Sequence, residues 1–427
     1  MAKLAQSVVA PSAAPLTESL RDLGSDFQSA VADLVDNSLT AGASRVDVVI
    51  DYDGAASRVI IADDGDGMHA NGLLEALRFG SRRQYGPADL GRYGLGLKTA
   101  SLSQCRSVTV VSRREGASRV VARQLDLDLI RDLDDWLVVD PGSVPGVNWA
   151  REWLGAEHGT VVVWDKLDRV LPESGPEGGW AKRRFDQLAR RTVEHLAMVF
   201  HRYLDDDAAR GRSVVLSVNG EKVPAWDPYA RSEEATRELP EQSFELVVGD
   251  IQGMVRLRRF VLPSRDAFST SEEFDRLSGP RKWNRQQGLY IYRASRLVQW
   301  GGWAGLRAID EHTKLARCQL DFDTALDPLF NINVAKMRVA LPAELRQMLE
   351  RPVHEACVFA DSAYRKGARR GAEGAPAPKP ASSSVLDRRA GLALTSAAIQ
   401  TDHFDALNAI ISVLREQAPE VVDALGL

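Results

Sequence analysis

The sequence predicts an α/β protein, a two-layer α/β sandwich over residues 16–178 followed by a second α/β domain over 179–370. Three observations carry that expectation. The runs RVDVVIDYD, SRVIIADDGDGM, SVTVVSRRE, SRVVARQLDLD and GTVVVWDKLD alternate or are continuously apolar over strand lengths, and helical 3.6-residue patterns lie among them. Glycine clusters fall where strands must pass into helices. A second set of strand-like runs, beginning at SVVLSVNGEK, follows one long amphipathic stretch, and 427 residues exceed what one ordinary core organises.

Taken in chain order, MAKLAQSVVAPSAAPL carries one lysine and a short, Pro-interrupted apolar stretch, so residues 1–15 read as a flexible arm and a poor signal peptide. A helix at about 25–40 comes next, and its apolar Phe27, Val31, Leu34 and Val35 lie opposite Asp33, Asp36 and Asn37. Two strands, a short helix in NGLLEALRFG and a long Gly-punctuated loop lead to a helix at about 96–104. Three more strands complete a mostly antiparallel sheet with helices on one face. GWAKRRFDQLARRTVEHLAMVFHRYL either closes this domain or opens the next, and the boundary is drawn at 178. The second domain ends in a helix at about 341–366, and residues 371–384, GAEGAPAPKPASSS, form a linker too poor in apolar residues to fold. In the C-terminal segment 385–427, Phe404, Leu407, Ile410, Ile411 and Leu414 make one helical stripe, which implies a docking partner in cis or in trans.

Composition narrows the class. Fifty-four Lys and Arg against 59 Asp and Glu give a net charge of −5, which excludes a generally basic nucleic-acid coat. Three cysteines without C-x-x-C indicate neither a disulfide framework nor a zinc site, and fit a reducing cytoplasm. No apolar run reaches the length of a membrane span.

Four local patterns carry chemistry. In ADLVDNSLTAGA, Asp33 and Asn37 stand one helical turn apart, so a carboxylate and an amide oxygen project together and could hold a water and a metal. Seen alone, the row is an ordinary solvated face. In DDGDGM, Asp64 ends a strand where it can accept from an exocyclic amine, and Gly65 and Gly67, ahead of Met68, let the backbone pass close to a flat ligand, although the motif alone reads as a tight turn. GRYGLGLKTAS sets Gly94, Leu95 and Gly96 before a helix bearing Lys98 and Thr99, an arrangement suited to phosphates, although no Walker A loop is present. Thr160, in HGTVVVWDKLD, supplies a strand hydroxyl that could support the carboxylate.

The order A-D-L-V-D-N-S, D-x-G-D-G-M, G-R-Y-G-L-G-L-K, G-T-V-V-V-W resembles the GHKL ATPase superfamily of gyrase B, ninety-kilodalton heat-shock chaperones, histidine kinases and MutL. GRYGLGLKTASLSQC and QGLYIYRASRLV are most similar to MORC-type and related prokaryotic members. The resemblance covers about residues 16–345 and implies a Bergerat ATP-binding fold followed by a transducer-like domain. It implies ATP and Mg²⁺ as cofactors: Asn37 on the Mg²⁺, Asp64 on the adenine amine with Gly67, Met68 and Thr160 around it. Residues from about 80 to 96 would form a lid whose Gly94, Leu95 and Gly96 amides, with Lys98, meet the phosphates. FNINVAKMRV resembles the transducer loop whose lysine reaches the γ-phosphate, which points to Lys336.

One departure bears on turnover. Hydrolytic members carry a glutamate general base where this chain has Asp33, and withdrawing the carboxylate by one methylene predicts slow hydrolysis. The resemblance thus implies a slow, nucleotide-gated switch that dimerises through its N-terminal arm in response to ATP. Two readings of RKWNRQQGLYIYRASRLVQWGGW stand side by side: a basic and aromatic strip that could take DNA, with mobile-element defence by family analogy only, and a sheet with a basic edge. The rival expectations are a chaperone-like ATPase with protein clients and a non-catalytic scaffold that recruits an effector through the C-terminal helix.

Overall fold

The computed structural model describes residues 11–22, 24–80, 96–155, 157–171, 177–205, 213–330, 339–372, 383–401 and 403–427. They form two compact units. Unit 1 runs to Trp226 and also takes in Ala294–Arg296; unit 2 takes in Asp227–Arg293 and Leu297 onward.

Unit 1 is built from α1 (Ala13–Asp22), α2 (Phe27–Thr40), β1 (Arg45–Asp51), β2 (Arg58–Asp63), α3 (Ala70–Leu77), α4 (Gly96–Leu102), β3 (Ser107–Arg113), β4 (Val121–Asp126), α5 (Leu127–Leu133), α6 (Pro145–Trp153), β5 (Gly159–Asp165), α7 (Gly179–Val199), α8 (His201–Leu204), β6 (Val215–Val218) and β7 (Glu221–Lys222). Its sheet order is β4-β3-β5-β2-β1-β6-β7, antiparallel except where β6 runs parallel to β1 with Val46 opposite Leu216. β2 is central, pairing Val46 of β1 with Asp63 on one side and Thr160 of β5 with Asp63 on the other. Alternation along the strands then divides the core. Ile60, Ala62, Val161 and Val163 pack against Val147, Ala150 and Leu154 at α6, while Trp164 meets Phe27 of α2 edge-on at 6.1 Å. Helices therefore occupy both faces, because α6 covers a side that the sequence pattern left bare.

Three sequence boundaries differ from the structure. Residues 13–15 are helical rather than part of a flexible arm: Asp134 accepts from Ser12 Oγ and the Ala14 amide, and buried Arg21 donates to the Leu102 carbonyl at 2.7 Å and to Asp168 at 2.6 Å. Unit 1 also continues past residue 178, because α7 packs on α2 and β6 extends the sheet from β1. The ends of the segment read as a linker are helical as well, since α12 below reaches Ala372 and α13 starts at Ser383.

Unit 2 contains β8 (Arg237–Val248), β9 (Ile251–Val261), α9 (Ser271–Leu277), α10 (Lys282–Gln286), β10 (Gly288–Arg293), β11 (Arg296–Trp300), β12 (Ala316–Phe322), α11 (Asp327–Phe330), α12 (Ala343–Ala372), α13 (Ser383–Gln400), α14 (Phe404–Gln417) and α15 (Pro419–Leu425). Its mixed sheet is ordered β11-β10-β12-β9-β8, with β10 parallel to β12, and α12 packs across β8, β9 and β12. The stretch read as a DNA-binding strip is mostly interior. Every residue of β10 is buried, Trp300 and Trp303 are buried, and Arg293 makes a two-pronged ion pair with buried Asp327 at 2.7–2.9 Å. Tyr290, Tyr292, Trp300, Trp303, Arg293 and Arg296 serve the core, while Arg281, Lys282 and Arg285 at the start of the stretch remain exposed. The C-terminal stripe docks in cis in part: Phe404 and Ile411 are buried, and Phe404 lies 5.7 Å from the His354 ring of α12.

Among the described residues, no helix is long and apolar enough to cross a membrane.

Candidate nucleotide site

α2 starts on an Asp26 cap that accepts from the Ser29 amide, and it is buried almost all round. Between Asp33 and Leu39 only Asn37 is exposed. The polar row is therefore no solvated face. Asp33 is 5% exposed and Asp36 wholly buried, and Asp36 accepts from Arg296 Nε at 2.8 Å within unit 1, where the guanidinium also lies 5.8 Å above Phe200. Asp36 is thus a structural acid, while Asn37 is left presenting its amide outward.

At the end of β2 the two neighbouring aspartates have opposite surroundings. The Asp64 carboxylate accepts from the Ser44 amide and the Arg45 amide, both at 2.7 Å, and from Ser44 Oγ, all at a partly exposed turn. Burial raises its pKa, but these hydrogen bonds outweigh it and hold the group below the ordinary carboxylate value. Asp64 is occupied in closing the turn between α2 and β1. Asp63, one residue earlier and 6% exposed, accepts from Ser38 Oγ at 2.8 Å and from the Gly65 amide at 3.0 Å, and sits opposite Thr160. Burial pushes its pKa up to about 6, against the hydrogen bonds from Ser38, Gly65 and Thr160 that lower it, with the Asp64 charge adding to the rise. The D-x-G-x-G spacing, counted from Asp63 through Gly65 to Gly67, was the signal available in the sequence.

The loop after β2 is fixed by close backbone approach. Gly67 has φ +63°, and a Cβ there would stand 2.0 Å from the Arg113 carbonyl oxygen; at Gly65 it would stand 2.8 Å from the Ala41 carbonyl oxygen. The Met68 amide donates to Ser112 Oγ at 2.8 Å, and Ser112 Oγ lies 3.0 Å from Thr160 Oγ1. Ser112, a residue that no motif marked, thereby ties the loop to β5 and Thr160.

α4 packs on α2 and brings in Lys98 and Thr99, both buried, with Gly96 half-buried at its first turn. Lys98 is 1% exposed and donates from Nζ to the Ala76 carbonyl of α3 at 2.9 Å. Burial lowers its pKa to about 8, with Glu75 opposing the shift. Gly94, Leu95 and Lys336 lie outside the described residues.

An α/β sandwich with these residues around α2 and the end of β2 is the class of GHKL ATP-binding modules, and the comparisons agree. Residues 25–160 match the family described as histidine kinase-, DNA gyrase B-, and HSP90-like ATPase. This segment is a GHKL ATPase domain. It is similar to DNA mismatch repair protein MutL of Phenylobacterium zucineum, 31% identical over 131 residues that cover 29% of this chain and 21% of that protein. The MutL of Rhodospirillum rubrum is 38% identical over 93 residues, 21% of this chain and 15% of its own. The match thus spans about a fifth or less of the curated relatives' length.

Proposed function

We propose that the protein is a Mg²⁺-dependent, ATP-gated conformational switch of MORC-like type that hydrolyses ATP slowly, forms a homodimer and acts on DNA. The observation that carries the ATP reading is the buried, hydrogen-bonded Asp63 carboxylate at the end of β2, kept among Ser38, Gly65 and Thr160 although burial raises its pKa to about 6. Asp63 accepts from the adenine amine, and Thr160, through Ser112, steadies the loop of Gly65, Gly67 and Met68 beside it. Lys98 releases the Ala76 carbonyl to meet a phosphate, and Thr99 and the amides of Gly94, Leu95 and Gly96 support the same group. Lys336 is proposed to read the γ-phosphate.

The donor set suits Mg²⁺. One exposed amide, Asn37, beside phosphate oxygens and water is the sparse protein ligation this ion accepts. The ion, when bound, neutralises phosphate charge. Asp33 orients and deprotonates the attacking water.

The test of the hydrolytic role is Asp33→Ala. It is expected to bind Mg-ATP with near-native affinity, to turn it over at least tenfold more slowly, and to accumulate dimer in sizing experiments. Turnover at the native rate would favour the non-catalytic scaffold.

The two shifted groups also set a pH window. Asp63 accepts more strongly when ionised, above about 6, and Lys98 attracts phosphate when protonated, below about 8. Affinity for Mg-ADP measured by calorimetry should therefore be flat between these values and fall on both sides. Replacing Lys98 with Met should remove the alkaline limb alone. The DNA-directed part of the reading is supported by the printed function of the relatives, DNA mismatch repair.

A further inference from the structure

RKWNRQQGLYIYRASRLVQWGGW is largely interior apart from exposed Arg281, Lys282 and Arg285, and a further exposed basic surface lies on α7. Its apolar side, Ala181, Phe185, Thr192 and Leu196, is turned to the core of unit 1, with Phe185 5.5 Å from Tyr52. The opposite side exposes Arg183, Arg184, Arg190 and Arg191, flanked by Lys182, against two carboxylates, Asp186 and Glu194. Among the described residues none of the four arginines forms an ion pair. Arg184 lies 5.6 Å over the ring of Trp180, which is 55% exposed.

The spacing is regular. Arg183 and Arg190, and likewise Arg184 and Arg191, are seven residues apart, two turns or about 10.5 Å along the axis. This gives two parallel rows of guanidinium groups on a chain whose net charge is −5. Guanidinium binds phosphate bidentately, and a repeated array of like charge complements a polymer whose own charges repeat. A membrane surface fits less well, because an interfacial helix needs its apolar face outward, and here that face is buried.

We infer that the exposed face of α7 docks the phosphate backbone of duplex DNA. The inference deepens the DNA-directed reading above and names the surface. Contacts to phosphate alone carry no sequence information, so binding is indifferent to sequence and steeply dependent on salt.

The experiment is fluorescence anisotropy of the full chain with labelled 20-base-pair duplexes of two unrelated sequences between 50 and 200 mM salt. Four phosphate contacts give a log–log slope of about −3.6, a loss of roughly a hundredfold over that range, equal for both sequences. Changing Arg183, Arg184, Arg190 and Arg191 together to Gln should reduce affinity at least tenfold and flatten the slope, leaving the thermal midpoint and Mg-ATP affinity unchanged. The same four positions changed to Lys should retain the slope. If the Gln variant keeps the wild-type slope, α7 is not the surface, although the protein still binds DNA. If the wild type shows no salt-dependent duplex binding, or binds only anionic phospholipid vesicles, both the surface and the DNA-directed reading fall.

Discussion

Asp63→Asn is expected to weaken Mg-ATP binding by about a hundredfold or more, because the amide would present a donor to the donor on adenine and leave two buried groups opposed. The fold should survive the change. A carboxyl group whose pKa is raised to about 6 from 3.8 binds its proton more tightly in the native state, so its ionisation subtracts stability as pH rises through that interval. At neutral pH that cost is on the order of 3 kcal/mol, comparable with what asparagine loses by accepting fewer of the bonds from Ser38 and Gly65. The thermal midpoint of Asp63→Asn should therefore stay near the wild-type value. Asp64→Asn provides the contrast. It weakens the turn that Asp64 closes with Ser44 and Arg45, costs about 1 kcal/mol of stability, and leaves nucleotide affinity intact. Equal affinity losses in the two variants would remove the distinction between the neighbours, and native affinity in Asp63→Asn would remove Asp63 from the site.

Asp36→Ala is expected to destabilise unit 1 by about 3–5 kcal/mol, since the guanidinium of Arg296, 3% exposed, would lose the buried carboxylate it pairs with. Chemical denaturation should show the loss as a lower midpoint. The double variant Asp36→Ala with Arg296→Met should recover much of it, because the apolar stem can fill the space over Phe200 without a charge to satisfy. A double variant no more stable than Asp36→Ala would mean that the helix needs the carboxylate for another contact.

The pair also shows where reading the sequence stops. Apolar periodicity determined α2, the central strands and the later α/β unit, because a helix or strand that buries one side must repeat its apolar residues at 3.6 or 2. The order of the glycine and acid motifs pointed to the superfamily, because each motif is a local solution to holding a phosphate or a flat ring. Periodicity says nothing of what lies over a helix, so Asp33, Asp36 and Asn37 read alike. Only tertiary structure buried Asp36 against a residue 260 positions away and left Asn37 outward. The adjacent Asp63 and Asp64 separated for the same reason. A strand sends neighbouring side chains to opposite sides, and the packing of α2 and β5, not the local motif, decided that Asp63 would be desolvated among Ser38 and Thr160 while Asp64 closed an open turn.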